Sequence, residues 1–354
     1  MKNIYLEILD RKSFHSPLAL ATVVRTQGST PQKPGCSALF DETGLISGTV
    51  GGGIVEGKVQ LLVAERIASM KSGLYHFNLA NDISKTEEAI CGGEITVLID
   101  LNINNFFTVF EQLHQSLINH LPGVLITEVT GLREPTVIIN RYWLSERAET
   151  SLPADLVARI EPEFTKLISE KNPSGFRELK TGKADEGSSP LFFLQPFFPP
   201  DQLVIAGAGH IGRALSHLGL LLDFEVTVID DRQEYANKEN IPDADHIIVK
   251  DIGEAIAELN KTENTYVVIV TRGHKDDASA LKPCIGNGLA YVGMIGSKKK
   301  ISAMRINFLE NGWATSAQWE QIHTPVGLPI KSQTVEEIAV SIAAELVLVR
   351  NTIR

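Results

Sequence analysis

Residues 201–231, DQLVIAGAGHIGRALSHLGLLLDFEVTVIDD, constrain this chain more than any other stretch. Leu203 to Ala206 is a short apolar run, and Gly207-Ala208-Gly209-His210-Ile211-Gly212 then spells G-x-G-x-x-G. Helix formers follow from Arg213 to Leu222, and a second apolar run, Glu225 to Ile229, ends in Asp230-Asp231. Strand, glycine turn, helix, strand and acid is the order that a dinucleotide-binding fold requires. Gly207 permits the tight turn, Gly209 lets a phosphate approach the backbone, and Gly212 lets the helix lie close on the strand. The free N–H groups and positive dipole end of that helix then face an anion. Asp230 stands 18 residues after Gly212, near the roughly 20-residue spacing of a ribose-binding acid.

The chain has 354 residues, which suggests two or three domains. With 33 basic and 43 acidic residues its formal charge is −10. That balance, with no basic stripe beyond Lys298-Lys299-Lys300, argues against nucleic-acid binding. No stretch approaches 18 uninterrupted apolar residues, so no membrane span is expected. Three distant cysteines, Cys36, Cys91 and Cys284, are neither a disulfide framework nor a C-x-x-C zinc pattern, and a reducing cytoplasm fits them.

Along the chain, residues 3–13 read as a short helix and Leu18 to Val24 as a strand. A polar loop follows, holding Arg25, Lys33, two glycines and two prolines. Ser37 to Phe40 and Leu45 to Ile46 read as a hairpin. Gly51-Gly52-Gly53, ahead of a helix over Ile54 to Met70, makes a second backbone cradle at a helix N-terminus. Tyr75 to Leu79 and Ile95 to Ile99 read as strands, with a surface loop at 81–89 and Cys91-Gly92-Gly93 between them. Residues 105–194 carry helices at 105–119 and 153–169 and strands at Gly123 to Glu128, Thr136 to Asn140 and Leu191 to Gln195. The segment 172–190 is polar and turn-rich. This region is expected to complete the first domain's sheet, and Phe197 to Pro200 to link it to the second, placing the domains at 1–196 and 197–354.

Beyond Asp230 the α/β rhythm continues. Asp245 to Val249, Thr265 to Val270 and Tyr291 to Ile295 read as strands, with helices at Ile252 to Leu259, at 277–284 and after Ser297. Thr334, with Glu337 three residues on, opens the last helix as a capping box. The strand ending at Val270 runs into Thr271-Arg272-Gly273-His274-Lys275, and ligands of open α/β sheets sit at such carboxyl ends.

Four segments could therefore bind anions: Gly51–Gly53 with Arg25 and Lys33 nearby, Gly207–Gly212, Arg272–Lys275 and Ser297–Lys300. They suit a ligand with one or two phosphates and a polar ring, held between two domains. A dehydrogenase would also need a proton donor, for which His210 and His274 are the candidates by placement. No Ser–His–Asp arrangement or H-E-x-x-H is visible. From the residues alone, a nucleotide-dependent oxidoreductase ranks first and a nucleotide-like cofactor carrier close behind.

Several stretches together resemble the XdhC/CoxI family, accessory proteins of molybdenum hydroxylases such as xanthine dehydrogenase and carbon monoxide dehydrogenase. In the first half they are Val24 to Pro31, Pro34-Gly35, Gly48-Thr49-Val50-Gly51-Gly52-Gly53-Ile54-Val55-Glu56 and Cys91-Gly92-Gly93. In the second they are Gly207 to Gly212, Thr271-Arg272-Gly273-His274 with Asp277, Gly293 to Ser297 with Lys300, Pro325 to Leu328 and Glu336 to Glu345. Thr30, Gln32, Val50 and Val326 depart from the family pattern without removing a glycine, and Lys33 keeps a basic group where arginine is usual.

The resemblance implies an N-terminal XdhC/CoxI-type α/β domain followed by a Rossmann-like doubly wound domain. It implies an accessory protein that binds molybdopterin cofactor, in mono- or dinucleotide form. The protein would hold the cofactor while a cysteine desulfurase replaces an oxo ligand by sulfur, and pass it to an apo-hydroxylase such as xanthine dehydrogenase. Cofactor-binding residues carried over are Arg25, Lys33, Gly51, Gly52, Gly53, Glu56, Cys91, Gly207, Gly209, His210, Gly212, Asp230, Arg272, His274 and Ser297. Cys91 would be the thiol nearest the metal, since a thiolate is a soft ligand. Cys36 is the runner-up, and Cys284, inside a helix, reads as core. An NAD(P)-dependent oxidoreductase remains the alternative, with Asp230 disfavouring the NADP 2′-phosphate and Arg232 leaving room for it. A scaffold docking desulfurase to hydroxylase is the third reading, and a homodimer is expected from the prevalence of two-fold assemblies.

Overall fold

The computed structural model describes residues 4–12, 17–79, 92–146, 152–172, 174–180 and 189–353, with the backbone alone at His274 and Ile353. The expected loop at 81–89 and Cys91 lie outside them. The chain divides into two compact units, Lys2–Pro199 and Pro200–Arg354.

The first unit holds α1 (Ile4–Asp10), α2 (Gly53–Arg66), α3 (Phe107–Ile118) and α4 (Ala154–Ser169). Its strands are β1 (Ala19–Gln27), β2 (Ser37–Asp41), β3 (Gly44–Gly48), β4 (Gly73–Asn78), β5 (Glu94–Asp100), β6 (Gly123–Thr130), β7 (Ile138–Ser145), β8 (Arg177–Lys180) and β9 (Leu191–Phe197). They form two antiparallel sheets, ordered β3-β2-β1-β5-β4 and β7-β6-β9-β8. Residues 105–194 therefore do not complete the first sheet; β6 to β9 build a second one. The turn-rich segment 172–190 contains β8, a short strand, RELK, whose polar sequence carries no alternation of buried and exposed residues.

Strand periodicity sorts the core. Ala19, Ala21 and Val23 of β1 face Val55, Val59 and Val63 of α2, spaced four apart along one helix stripe. Leu20 points the other way, into a cluster with Tyr5 and Ile8 of α1, Phe110 and Leu113 of α3 and Trp143 of β7. The outer face of the second sheet is covered by Ile160 and Leu167 of α4. The helix expected over Ile54 to Met70 stops at Arg66 and tightens into a 3₁₀ turn, Ile67–Ser69.

The second unit comprises β10 (Gln202–Ala206), α5 (His210–Leu221), β11 (Glu225–Asp230), β12 (His246–Val249), α6 (Ile252–Glu258), β13 (Thr265–Ile269), α7 (His274–Leu281), β14 (Tyr291–Met294), α8 (Lys298–Glu310), α9 (Ser316–Glu320) and α10 (Val335–Ile353). All five strands are parallel, in the order β12-β11-β10-β13-β14. This is the doubly wound sheet expected from residues 201–231, and the order reverses between β10 and β13. Leu203 and Ile205 face α5 and α10 through Leu215, Ile342 and Leu346. Val204 and Ala206 face α6, α8 and α9 through Ile256, Met304 and Trp319.

Helix α7 starts at His274, three residues before the expected 277, because Gly273 takes the N-cap position. The capping box is present: Glu337 donates its N–H to Thr334 Oγ1 at 3.2 Å, and Thr334 donates its own to Glu337 Oε2 at 3.2 Å. Cys284 is core as expected; burial pushes its thiol up to about 12.

Candidate functional site

Each unit presents one candidate site. In the first, the loop between β1 and β2 lines a cleft of ≈ 370 Å³. Gln32, Lys33 and Cys36 come from this loop, and Ser174, Phe176 and Gln195 from the second sheet's side. Gln195 holds the floor in place, accepting the Tyr5 hydroxyl at 3.1 Å and donating to the Gly35 carbonyl at 3.1 Å. Cys36 donates its thiol hydrogen to Gln32 Oε1 at 3.1 Å.

Arg25 is less available than its sequence setting suggests. Its guanidinium makes a two-point bridge to Glu178 of β8, Nε to Oε2 at 2.5 Å and Nη2 to Oε1 at 2.7 Å. It thus ties β1 to β8, while Lys33 stands exposed at the cleft rim.

The Gly51–Gly53 cradle is filled from within. Gly51, Gly52 and Gly53 all have positive φ, and a β-carbon at Gly51 would come 2.9 Å from Pro31. Glu56 Oε1 accepts the N–H groups of Val50 at 3.3 Å and Gly52 at 3.0 Å, plus the Thr49 hydroxyl at 2.5 Å. Thr49 Oγ1 takes the Gly51 N–H at 3.2 Å. A carboxylate of the chain itself occupies the position an external anion would take. Next door, Gly93 donates its N–H to Ser29 at 3.0 Å, anchoring the segment that follows Cys91 on the same loop.

In the second unit the glycine turn is open. Gly207 has φ of 120°, and a β-carbon there would lie 2.6 Å from the Val270 carbonyl. A β-carbon at Gly212 would lie 1.9 Å from the Gly207 carbonyl. Both glycines are thus required by the chain itself. Gly209 differs: its φ is −73° and nothing lies within 4 Å of an added β-carbon. It is the N-cap of α5, and no side chain caps that helix. Open space beside uncapped N–H groups fits a phosphate of a cofactor. His210 follows at the first helical position, with its side chain exposed.

Asp230, proposed from spacing as a ribose ligand, is engaged within the protein. Its Oδ2 accepts the Ala208 N–H at 2.8 Å and Arg232 Nη2 at 2.9 Å. Its Oδ1 accepts the Arg232 N–H at 3.1 Å and Nε at 2.9 Å. Burial alone would raise its pKa, but the Arg232 guanidinium and these N–H groups hold it below the ordinary carboxylate value. Asp230 thereby fixes the glycine turn through Ala208. The exposed carboxylate at this strand end is Asp231, 3.5 Å from Arg272 Nη2.

The family-like stretches meet here in two groupings whose contacts the sequence does not show. Thr271, at the end of β13, donates its hydroxyl to the fully buried Asp277 at 2.5 Å, and Lys300 pairs with the other oxygen of that carboxylate. Ser297 is the N-cap of α8, accepting the Lys300 N–H at 3.3 Å. The spacing of Thr271 and Asp277, across a strand end and the first turn of α7, was the available signal. Further along, Tyr291 donates to Glu345 at 2.5 Å, and the same carboxylate accepts the Gly327 N–H at 2.7 Å and contacts His323 Nδ1 at 3.2 Å. Burial and then the Glu345 carboxylate drive the Tyr291 hydroxyl far above its usual range. No spacing in the sequence links Tyr291 and His323 to Gly327 and Glu345, although the last two lie in family-like stretches.

Among the described residues, no group of three or more His, Cys, Asp or Glu side chains is arranged to hold a metal ion. Among them, too, no helix is long and apolar enough to cross a membrane.

Comparison with known proteins bears on the whole chain. A curated protein of Escherichia coli K12, the uncharacterized YqeB, is 23% identical over 99% of this chain, which spans 46% of YqeB. A protein of Bacillus subtilis 168, named as a probable subunit of xanthine dehydrogenase, is 25% identical over 94% of this chain and 93% of its own length. A crystal structure described as a xanthine dehydrogenase from Bacillus halodurans superposes with a TM-score of 0.76 at 23% identity, over 99% of this chain and 96% of that one. It shares the fold. The XdhC Rossmann domain matches residues 203–346, and the XdhC and CoxI family matches residues 14–78. With these two matches standing in order along the sequence, one in each unit, the chain belongs to the XdhC and CoxI family.

Proposed function

We propose that this protein is an accessory factor of a xanthine dehydrogenase-type molybdenum hydroxylase, one that binds molybdopterin cofactor and holds it for sulfuration and insertion. Family membership and the name of the Bacillus subtilis relative support the accessory role. The observation that carries cofactor binding is the open turn at Gly209: uncapped N–H groups beside space that no side chain fills. That arrangement suits a phosphate or pyrophosphate at the positive end of α5. The cofactor, when bound, supplies the molybdenum and its exchangeable oxo ligand. The chain's part is to hold the phosphate on the α5 N–H groups and to keep the turn rigid through the Asp230–Ala208 bond. The resemblance adds Cys91 as a soft ligand, a cysteine desulfurase as sulfur source and a homodimer as assembly. The test is to incubate purified protein with cofactor, remove unbound material by filtration and measure retained pterin by fluorescence. Retention that falls in Gly209→Ala supports the reading, and absence of retention in both oxidising and reducing buffers overturns it.

A second reading, an NAD(P)-dependent oxidoreductase, is favoured by the exposed Asp231 carboxylate at the end of β11, where a ribose hydroxyl would reach. Calorimetric titration with NAD and NADP separates the two, since tight binding together with turnover of a small carbonyl compound belongs to this reading alone.

A further inference from the structure

In the second unit, helices flank the carboxyl edge of the sheet from opposite faces. α5 packs on the face of Leu203 and Ile205, whereas α7 and α8 pack on the face of Val204 and Ala206 through Leu281 and Met304. The strand order reverses between β10 and β13, so the crevice at their ends lies between α5 on one side and α7 with α8 on the other. Across that crevice from the Gly209 turn stands a charged group with no part yet in holding a phosphate. Lys300, in the first turn of α8, pairs with the Asp277 carboxylate; the Asp277 side chain is 0% exposed and that of Lys300 26%. Thr271 donates to the other carboxylate oxygen at 2.5 Å. The Lys300 stem lies along Gly296, where a β-carbon would come 3.6 Å from Cδ. The cluster adjoins the glycine turn, since a β-carbon at Gly207 would lie 3.2 Å from Thr271 N. An ammonium has three N–H donors. Asp277 engages the Lys300 ammonium, and no second acceptor for it stands among the described residues.

A buried ion pair gains little in stability by itself. What this one does is fix an ammonium in place, largely withdrawn from water and with N–H groups to spare. Lys298 and Lys299, by contrast, are exposed. We infer that the crevice takes a ligand with two successive acid groups, one on the α5 N–H groups at Gly209 and the next on Lys300: a diphosphate, not a monophosphate. The inference rests on the phosphate position proposed at Gly209. Adjacent strands stand about 4.8 Å apart, and Lys300 reaches back to Asp277 and Thr271 at the end of β13, one strand from the turn. That step suits neighbouring phosphates. Within the cofactor reading it selects the dinucleotide form, whose pyrophosphate supplies both groups, and a nicotinamide dinucleotide would supply the same pair.

The test titrates the full chain by calorimetry at constant ionic strength, without divalent cations, using inorganic phosphate and inorganic pyrophosphate. Wild type should bind pyrophosphate about tenfold more tightly than phosphate, the gain of one charge-assisted contact. Lys300→Met is combined with Asp277→Asn, so that no buried carboxylate is left unpaired. This double variant should lose that factor on pyrophosphate and bind phosphate within about twofold of wild type. An unchanged pyrophosphate affinity overturns the inference, as does an equal fall for both anions. Lys298→Ala with Lys299→Ala should leave both affinities nearly as they are; a loss as large as that of the first double variant would show attraction to the lysine run alone and overturns the inference too. Should the first double variant not fold, Lys300→Arg, which keeps the ion pair, decides: the pyrophosphate-to-phosphate ratio should shift by about threefold or more, and a constant ratio overturns. Phosphate binding that Gly209→Ala weakens, with pyrophosphate no tighter, overturns the second position and leaves the cofactor reading, in the form with a single phosphate. If neither anion binds yet cofactor is retained on filtration, the inference falls while the cofactor reading stands. Tighter, Lys300-dependent pyrophosphate binding without cofactor retention leaves the diphosphate site and removes the cofactor reading.

Discussion

The carboxylate of Glu56 accepts the backbone N–H of Gly52 at 3.0 Å, so the first glycine turn carries its own internal anion. Removing that carboxylate leaves half-buried N–H groups without an acceptor, a cost of about 1–3 kcal/mol. Glu56→Ala should therefore unfold at lower temperature than wild type. The vacated cradle should also accept phosphate, so the variant's melting temperature should rise with phosphate concentration more steeply than that of wild type. Parallel slopes would show that Glu56 is not blocking an anion position.

The glycines of the second turn should separate by their neighbours. Gly212→Ala forces a β-carbon to 1.9 Å from the Gly207 carbonyl and should cost upwards of about 2 kcal/mol by overpacking. Gly209→Ala meets open space and should cost only about 0.5–1 kcal/mol as an N-cap change. Denaturant unfolding of both variants checks the contrast. A large loss in Gly209→Ala would mean that the turn needs that glycine for itself.

Asp230 gives a pH dependence with a defined sign. Its folded pKa is depressed, so its stabilising effect is fully present above the unfolded value of 3.8 and fades as pH falls through the folded value. Asp230→Asn should be less stable than wild type at neutral pH, and the difference should shrink only below about pH 4. Urea midpoints measured from pH 7 to pH 3 show this directly. A difference that grows on acidification contradicts the assignment.

The ion pair between Arg141 and Asp100, 3.0 Å apart, is almost fully withdrawn from water. It joins β7 of the second sheet to β5 of the first, and the guanidinium also lies over Phe106 and Phe110. Breaking such a pair by removing one partner costs about 3–5 kcal/mol, because the other charge is left buried. Arg141→Met alone should be destabilised on that scale. Arg141→Met with Asp100→Asn should recover a substantial part, and a double-mutant cycle on unfolding free energies measures the coupling.

The second unit is legible in the sequence because its signals are local. Strand, turn and helix around Gly207–Gly212 are written within 31 consecutive residues, and the constraint on Gly212 comes from the Gly207 carbonyl in the same turn, whereas that on Gly207 comes from Val270 on the neighbouring strand's end. The first unit is legible only in its pieces. β8 has too few residues and too even an exposure to show periodicity, so the second sheet reads as part of the first. Arg25 looks like a free cation because its partner, Glu178, is 153 residues away. Glu56 reads as a motif residue, yet nothing in its spacing says that its carboxylate turns back onto the glycines. Asp230 shows the limit of motif transfer: its position at the end of β11 is as expected, and the bonds that occupy it depend on the rotamer of Arg232.

The bond between Gln195 and Gly35 spans 160 residues, and the Arg25–Glu178 bridge is of similar reach. Ordering the loop between β1 and β2 thus depends on closing one of the longest circuits in the unit, an entropic step that must precede its reward. On a ribosome the chain emerges N-terminus first, so the loop leaves the tunnel long before its anchors in β8 and β9 exist. The cleft is consequently among the last parts of the unit to mature, and nascent chains cut before residue 195 lack it.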